Sequence, residues 1–308
     1  MSISPKIFFG MVLYNADKYL PAALDSILNQ TYADFQIIAS DDCSSDNTEE
    51  IMRHYASIDP RITYIKNEKR LGMIMNKRKV FFEATQRGAD YFAWAADHDL
   101  WHTEWVQAHV SVLNKYPEVV MTYPLTAAIG PEDERLPIKP SRFETEGMNK
   151  MERVRAACME MAGAGNMIYG LFRVSALKKC GVFPFCAMPD RLLLLEMSVY
   201  GAFKQIDKEL WYRRYPKPKP DYNREIERQR FSLFPEGAAP WHSNCPVLGQ
   251  ALGLIYHLSL RPPSGSYANA YLGPYMAYLQ LSRKKAFLRE DLKRFIGGLR
   301  SKQRHQLL

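Results

Sequence analysis

The chain has 308 residues, 47% of them hydrophobic and 24% charged, proportions that exclude wholesale disorder and suit one large core or two modest ones. Five cysteines (Cys43, Cys158, Cys180, Cys186 and Cys245) without a CxxC spacing argue against a disulfide scaffold or structural zinc, and for a reducing, cytoplasmic setting. The net charge of +8 is local: residues 282–308 hold nine Lys and Arg against Glu290 and Asp291, a +7 segment on a body of +1.

The first half alternates short apolar runs with segments of helical period. Lys6 to Leu13 reads as a buried strand, after which Leu20, Leu24, Ile27 and Leu28 recur at helix spacing with Asp17 as N-cap. A second strand, Phe35 to Ser40, runs into Asp41-Asp42-Cys43-Ser44-Ser45-Asp46. Asp46 opens the next helix, with Glu49 at the capping-box position. Ile62 to Lys66 is a third strand, followed by a loop around Gly72 and a helix from about Met75 to Gln86. Tyr91 to Ala95 is a fourth, ending at Asp97-His98-Asp99. Strand alternating with helix predicts a mostly parallel α/β sheet covered on both faces.

Thr126 to Thr145, rich in Pro, Glu and Arg, reads as a surface excursion. Apolar order returns at Met167 to Phe172 and Val182 to Pro184, followed by a helix from Asp190 to Tyr200. A strand pair is expected at Phe203 to Ile206 and Leu210 to Arg213. Beyond Pro216 the chain reads as a Pro/Lys stretch and then helices, with no internal repeat. No signal peptide is expected, and the longest apolar run, Val247 to Leu260, contains Gln250 and His257 and is too short to span a bilayer.

In such sheets ligands collect beyond the carboxyl ends of the strands. Here those ends deliver Tyr14-Asn15, Asp41-Asp42 and Asp97-His98-Asp99. Carboxylates gathered at one edge need a cation or donors to offset them. The set points to a nucleotide or polyphosphate held through a divalent metal.

Five pieces in fixed order carry a family resemblance: V-L-Y-N at 12–15, S-D-D-C-S-S-D-N-T at 40–48, A-D-H-D at 96–99, L-F-R-V-S-A-L-K-K-C-G-V-F at 171–183 and P-D-R-L-L-L at 189–194. Over Lys6 to Pro216 the chain resembles the family 2 glycosyltransferases, inverting enzymes of the GT-A fold that use a nucleotide-sugar donor. The resemblance implies a transferase domain over 1–216, with 217–308 as a helical extension. It makes Asp42 the acceptor of the base N3–H, a uracil-type contact, where the alternative is a cap on an Asx-rich turn. It places Asn15 at the nucleotide and Arg70, in the loop from Glu68 to Asn76, over base and ribose, although an exposed Arg is more often solvated. Asp99 would ligate Mg²⁺ or Mn²⁺, with Asp97 near the ribose or a metal-bound water. These are hard oxygen ligands, and the alternative is a capped helix start. Asp190 would be the catalytic base, or else the N-cap of its helix; Glu196 is less well placed.

One departure stands out. Relatives often carry His in a Y-R-x-H-P pattern that completes the metal shell, where this chain has Tyr212-Arg213-Arg214-Tyr215-Pro216. His242 could substitute, or Arg213 or Arg214 could pair with the diphosphate directly. Ala162 to Met167 would border the acceptor cleft. Of Trp94, Trp101 and Trp105, Trp94 suits the core and the others could stack on a sugar.

In the basic tail Phe287, Leu288, Leu292, Phe295, Ile296 and Leu299 recur at helix spacing. The tail either lies peripherally on an anionic membrane surface or docks its apolar side on the body. The expected partners are a nucleotide-sugar donor and a glycan or lipid-linked acceptor, and no nucleic acid. A nucleotidyltransferase would show a Gly-rich basic loop after the first strand, where Tyr14-Asn15-Ala16-Asp17 stands. A non-catalytic binder relying on the tail alone is the remaining alternative.

Overall fold

The computed structural model describes residues 5–215, 233–234 and 245–293. Its first half runs β1 (Ile7–Leu13), α1 (Leu20–Leu28), β2 (Phe35–Asp41), α2 (Thr48–Ile58), β3 (Ile62–Lys66), α3 (Met73–Gln86) and β4 (Tyr91–Ala95). After β5 (Leu100–Trp101) come α4 (Trp105–Lys115), β6 (Val119–Ile129), α5 (Lys150–Met159), the short α6 (Ala164–Met167), β7 (Leu171–Arg173) and α7 (Val174–Leu177). Helix α8 (Pro189–Met197) and β8 (Ala202–Arg214) follow. Then come α9 (Pro246–Ile255), a π-helical turn (Tyr256–Leu260) and α10 (Leu272–Arg283).

Eight strands form one sheet in the order β3-β2-β1-β4-β7-β6-β8-β5. The β3-β2-β1-β4 half is parallel, as is the β6–β8 pair, while β7 and β5 are antiparallel to their neighbours. Apolar side chains alternate between two cores because strand side chains alternate in direction. Phe8, Ile38, Phe92 and Trp94 pack with Val80 and Phe81 of α3. Phe9, Met11, Ile37 and Ala93 pack with α1 and α4 on the other face. Continuous apolar strands are what a doubly covered parallel sheet requires.

Several expectations need correcting. Thr126 to Ile129 is not excursion but the end of β6, every residue of which is buried; the irregular segment begins at Gly130. The expected strand pair is a single strand, β8. Its register jumps from Pro124–Ile206 to Leu125–Glu209, and the bulge accommodates Asp207 and Lys208. Tyr19, not Asp17, occupies the N-cap position of α1, and the Asp17 backbone N–H donates to Asp46. Asp46 accepts from the Thr48 N–H, but Glu49 pairs with Arg53 and Lys66, so no capping box forms at α2.

The C-terminal elements join the same core as α8. Leu254, Leu258, Leu272 and Met276 pack with Leu192–Leu195. Glu196, buried in α8, accepts from the Gly181 N–H at 2.6 Å and pairs with His257 of the π turn at 2.5 Å. A helical run, 285–293, continues from α10, and the buried Asp291 accepts from the Val247 and Leu248 N–H groups at the start of α9. This part of the tail meets the body through Asp291 rather than through its apolar side, since Phe287 and Leu292 face solvent. Phe295, Ile296, Leu299 and His242 lie outside the described residues. Among the described residues no helix is long and apolar enough to cross a membrane.

Candidate active site

The first carboxylates lie at the ends of β1 and β2. Asn15 adopts a left-handed φ of 50°, a conformation Asn tolerates. Its N–H donates to Ser44 Oγ and its Oδ1 accepts from the Ser45 N–H, tying the two strand ends together. Asp41 is fully buried and committed, accepting from Tyr64 Oη at 2.7 Å and the Ser44 N–H at 2.8 Å. It is a turn residue. Asp42 accepts from Leu71 N–H and Asn67 Nδ2 on Oδ1, and from Gly72 N–H on Oδ2. A carboxylate has about four lone-pair sites, so Oδ2 retains one for a ligand donor. The same bonds fix the 68–72 loop, where Gly72 takes φ 78° and Arg70 stacks over the Tyr14 ring at 4.2 Å.

Beyond β4 the chain turns through Asp97, His98 and Asp99 into β5 rather than directly into a helix. Asp99 is almost fully buried and accepts from the Arg214 N–H at 2.8 Å, while the Arg214 guanidinium donates to the carbonyls of His98, Gly130 and Pro131. His98 sits between the two carboxylates. Its Nδ1 contacts Asp97 Oδ1, and its Nε2 lies 3.8 Å from Asp99 Oδ1. Enclosure disfavours the imidazolium, but the Asp97 hydrogen bond and the fields of Asp99 and Asp97 prevail and raise His98 to about 9. Burial pushes the Asp99 carboxyl up, with His98 and the Arg214 N–H acting against it.

Asp190 sits in the first turn of α8, where the helix dipole favours an anion. Pro189 opens that helix and Met188, at φ 54°, is the N-cap residue, so Asp190 is not the cap. Its carboxylate makes no hydrogen bond or ion pair with a described residue. Gly165 leaves room beside it: a Cβ there would lie 3.6 Å from both Asp190 Oδ2 and Arg213 Nη1. Arg213 is held by Asn166 of the loop expected at the acceptor cleft. Thus Arg213 faces Asp190, while Arg214 is committed to the Asp97–Asp99 loop.

Lys77 of α3 is the residue that sequence reasoning missed. It is 5% exposed, its ammonium lies 4.7 Å from the Phe183 ring and 5.0 Å from the Tyr169 ring, and it has no carboxylate in ion-pair contact among the described residues. Burial pulls it down to about 8, against the fields of Asp190, Asp97 and Asp99. A lysine on an amphipathic helix gives no sequence signal for such a position. Trp101 and Trp105 join Trp94 in the core, at 3%, 0% and 0% exposure, so none stacks on a sugar.

No three His, Cys, Asp or Glu among the described residues are grouped to hold a metal by themselves. Asp97 and Asp99 nonetheless each keep Oδ2 outside the contacts above. Two hard oxygens completed by water and phosphate suit Mg²⁺ or Mn²⁺. The residues fit such an ion once a phosphate ligand shares it.

Comparison with known proteins bears on the family and the fold. The model of Glycosyl transferase family 2 matches residues 9–174. An uncharacterized glycosyltransferase of Rickettsia typhi is 30% identical over 112 residues, 36% of this chain and 33% of its own length. The putative teichuronic acid biosynthesis glycosyltransferase TuaG of Bacillus subtilis is 33% identical over 88 residues, 29% of this chain and 34% of its own length. The matches therefore span about a third of these relatives. S. aureus TarS 1-349 superposes with TM-score 0.57 at 16% identity, covering 92% of this chain and 73% of that one; its complex with UDP-GlcNAc gives 0.52. Mannosyltransferase PcManGT from Pyrobaculum calidifontis, in complex with GDP-Man and Mn²⁺, gives 0.55 at 15% identity, covering 92% and 75%. At such identities the structural likeness is one of fold, the GT-A arrangement expected above. With more than half of its length matched by the family model, the chain belongs to glycosyltransferase family 2.

Proposed function

We propose that the chain transfers a sugar, with inversion, from a UDP-linked donor to a hydroxyl of a glycan, glycolipid or lipid-linked acceptor. The observation that carries this reading is the grouping around Lys77: a buried ammonium within the fields of Asp190, Asp97 and Asp99, of which Asp190 has no partner among the described residues. A buried cation without an ion pair is costly, and a diphosphate would complete it. The UDP-GlcNAc and GDP-Man complexes of the structural neighbours support a nucleotide-sugar donor.

The proposed roles follow from the geometry. Asp42 Oδ2 accepts the base imide N–H, Arg70 and Tyr14 cover the base and ribose, and Asn15 holds the turn that receives them. Asp97 and Asp99 hold Mg²⁺ or Mn²⁺, which when bound supplies Lewis-acid stabilisation of the leaving diphosphate. Lys77 and Arg213 add positive charge where negative charge grows on that leaving group. Asp190 takes the proton from the acceptor hydroxyl as its oxygen attacks the anomeric carbon from the face opposite the departing diphosphate. One base suffices, so the paired carboxylates of a hydrolase are not required. The transferase unit is proposed to span 1–216, in a cytoplasmic protein whose 217–308 extension carries the basic tail to an anionic membrane surface.

A thermal-shift screen of nucleotide sugars with Mn²⁺ tests the reading, because a ligand bound to the native state raises its stability. UDP-sugars should raise Tm in a Mn²⁺-dependent way. No shift with any nucleotide would overturn it.

A further inference from the structure

Arg191 and Arg283 meet near Asp190, with Lys284 next to Arg283 in sequence, and none of the three is in an ion pair with a described residue. Arg191, the residue after Asp190, is 9% exposed and donates from Nη1 to the Met161 carbonyl at 3.3 Å, while its Nε and Nη2 are buried with no partner. Arg283, at the end of α10, donates from Nη1 to the Cys158 carbonyl at 3.1 Å and to the same Met161 carbonyl at 3.5 Å. Two guanidinium groups thus converge on one carbonyl oxygen. Lys284 follows directly, and burial together with Arg191 and Arg283 lowers its ammonium to about 8, opposed by Asp291 and Asp190.

Like charges brought together in partial burial cost free energy unless an anion joins them. Among the described residues no carboxylate forms an ion pair with any of the three: Asp291 accepts from the Val247 and Leu248 N–H groups, and it and Asp190 reach Lys284 only through their fields. Exposed Arg283 and half-buried Lys284 lead inward from the surface to Arg191. The set borders Met161, where the chain enters the Ala162–Met167 loop.

We propose that Arg191, Arg283 and Lys284 form an anion subsite beside Asp190 that receives a phosphoryl group carried by the acceptor. Guanidinium forks match phosphate oxygens, and an ammonium adds a point charge. The placement rests on the reading of Asp190 as base. The donor diphosphate is assigned to Lys77, Arg213, Asp97 and Asp99, so an anion between Asp190 and the tail belongs to the other substrate. The preferred acceptor is then a phosphate monoester or phosphodiester, with its reacting hydroxyl a short distance from that phosphate. The C-terminal extension gains a purpose: it supplies two of the three cations.

The test is a calorimetric titration of the full chain with sn-glycerol 3-phosphate, both alone and saturated with UDP and Mg²⁺. The wild type should bind it in both states. The Arg283→Gln/Lys284→Gln variant should bind it about tenfold more weakly, the loss of a charge-assisted contact, with UDP affinity unchanged. Lys284→Glu should weaken it further, and folding of each variant is checked by Tm. Equal binding by wild type and variant, or complete displacement by UDP, would overturn the subsite. A parallel titration with vesicles of phosphatidylglycerol in phosphatidylcholine separates the source. Vesicle binding lost in the variant while sn-glycerol 3-phosphate fails to bind the wild type would overturn the subsite in favour of a membrane surface. Glycerol phosphate binding without any UDP binding would sink the donor reading and leave the subsite standing.

Discussion

The carboxylate edge at the ends of β1, β2 and β4 and the tail side of Asp190 are built in opposite ways. At that edge the carboxylates follow apolar strands and are already supplied with partners: Asp41 by Tyr64 and Ser44, Asp42 by Asn67, Leu71 and Gly72, Asp97 by His98, Asp99 by the Arg214 N–H. On the tail side the charges are positive, come from separate stretches of chain, and have carbonyls rather than acids for company. In the first region the fold supplies donors to the acids, although burial still raises Asp99 and Lys77 stands buried near them with no ion pair to a described residue. The second holds three cations without an ion pair to a described residue, and such charge is what an anionic ligand can satisfy.

Substitutions on the two sides should separate accordingly. The largest effect is expected for Asp190→Asn, which should cut turnover by about 10²–10⁴-fold, the usual contribution of a general base, with UDP affinity kept. Full activity in steady-state assays would break the assignment. Lys77→Met should come next, costing about 1.5–3 kcal/mol of UDP affinity, roughly 10- to 150-fold, while raising Tm, because it removes a buried charge with no ion pair to a described residue. Calorimetry with UDP and uridine reads this: uridine affinity should not move, and equal losses for both would show a folding effect instead. Asp291→Ala removes two hydrogen bonds to the first turn of α9 and should lower stability by about 0.5–2 kcal/mol, seen as a shift in urea midpoint with UDP affinity preserved. Gly165→Ala should be the mildest, since a Cβ there stands at ordinary contact distance from Asp190 and Arg213. Gly165→Val would crowd both and lower kcat more than it raises KM.

How much of this was readable from sequence follows the same division. β1 to β4 and their terminal acids are legible because each is one uninterrupted apolar run ending in polar residues. β6 was not, since Thr122, Pro124 and Thr126 interrupt its pattern and Pro argues against a strand interior; Pro124 is tolerated where the register of β8 slips. The position of Asp190 could be named, but not the cations around it. Lys77 is buried only because Tyr169 and Phe183, far along the chain, close over it. Arg191 and Arg283 become neighbours only through the Met161 carbonyl. Asp97-His98-Asp99 was recognisable as a motif, whereas the charge that His98 places between its acids needed the geometry.

The stereochemistry of donor hydrolysis tests the central claim most directly, because water can replace the unknown acceptor. With an α-linked UDP-sugar and Mn²⁺, proton NMR of the first sugar released by the wild type should show the β-anomer, and Asp190→Asn should release none above background. Initial release of the α-anomer, or equal release by the Asp190→Asn variant, would contradict a single-base, inverting transfer at this site.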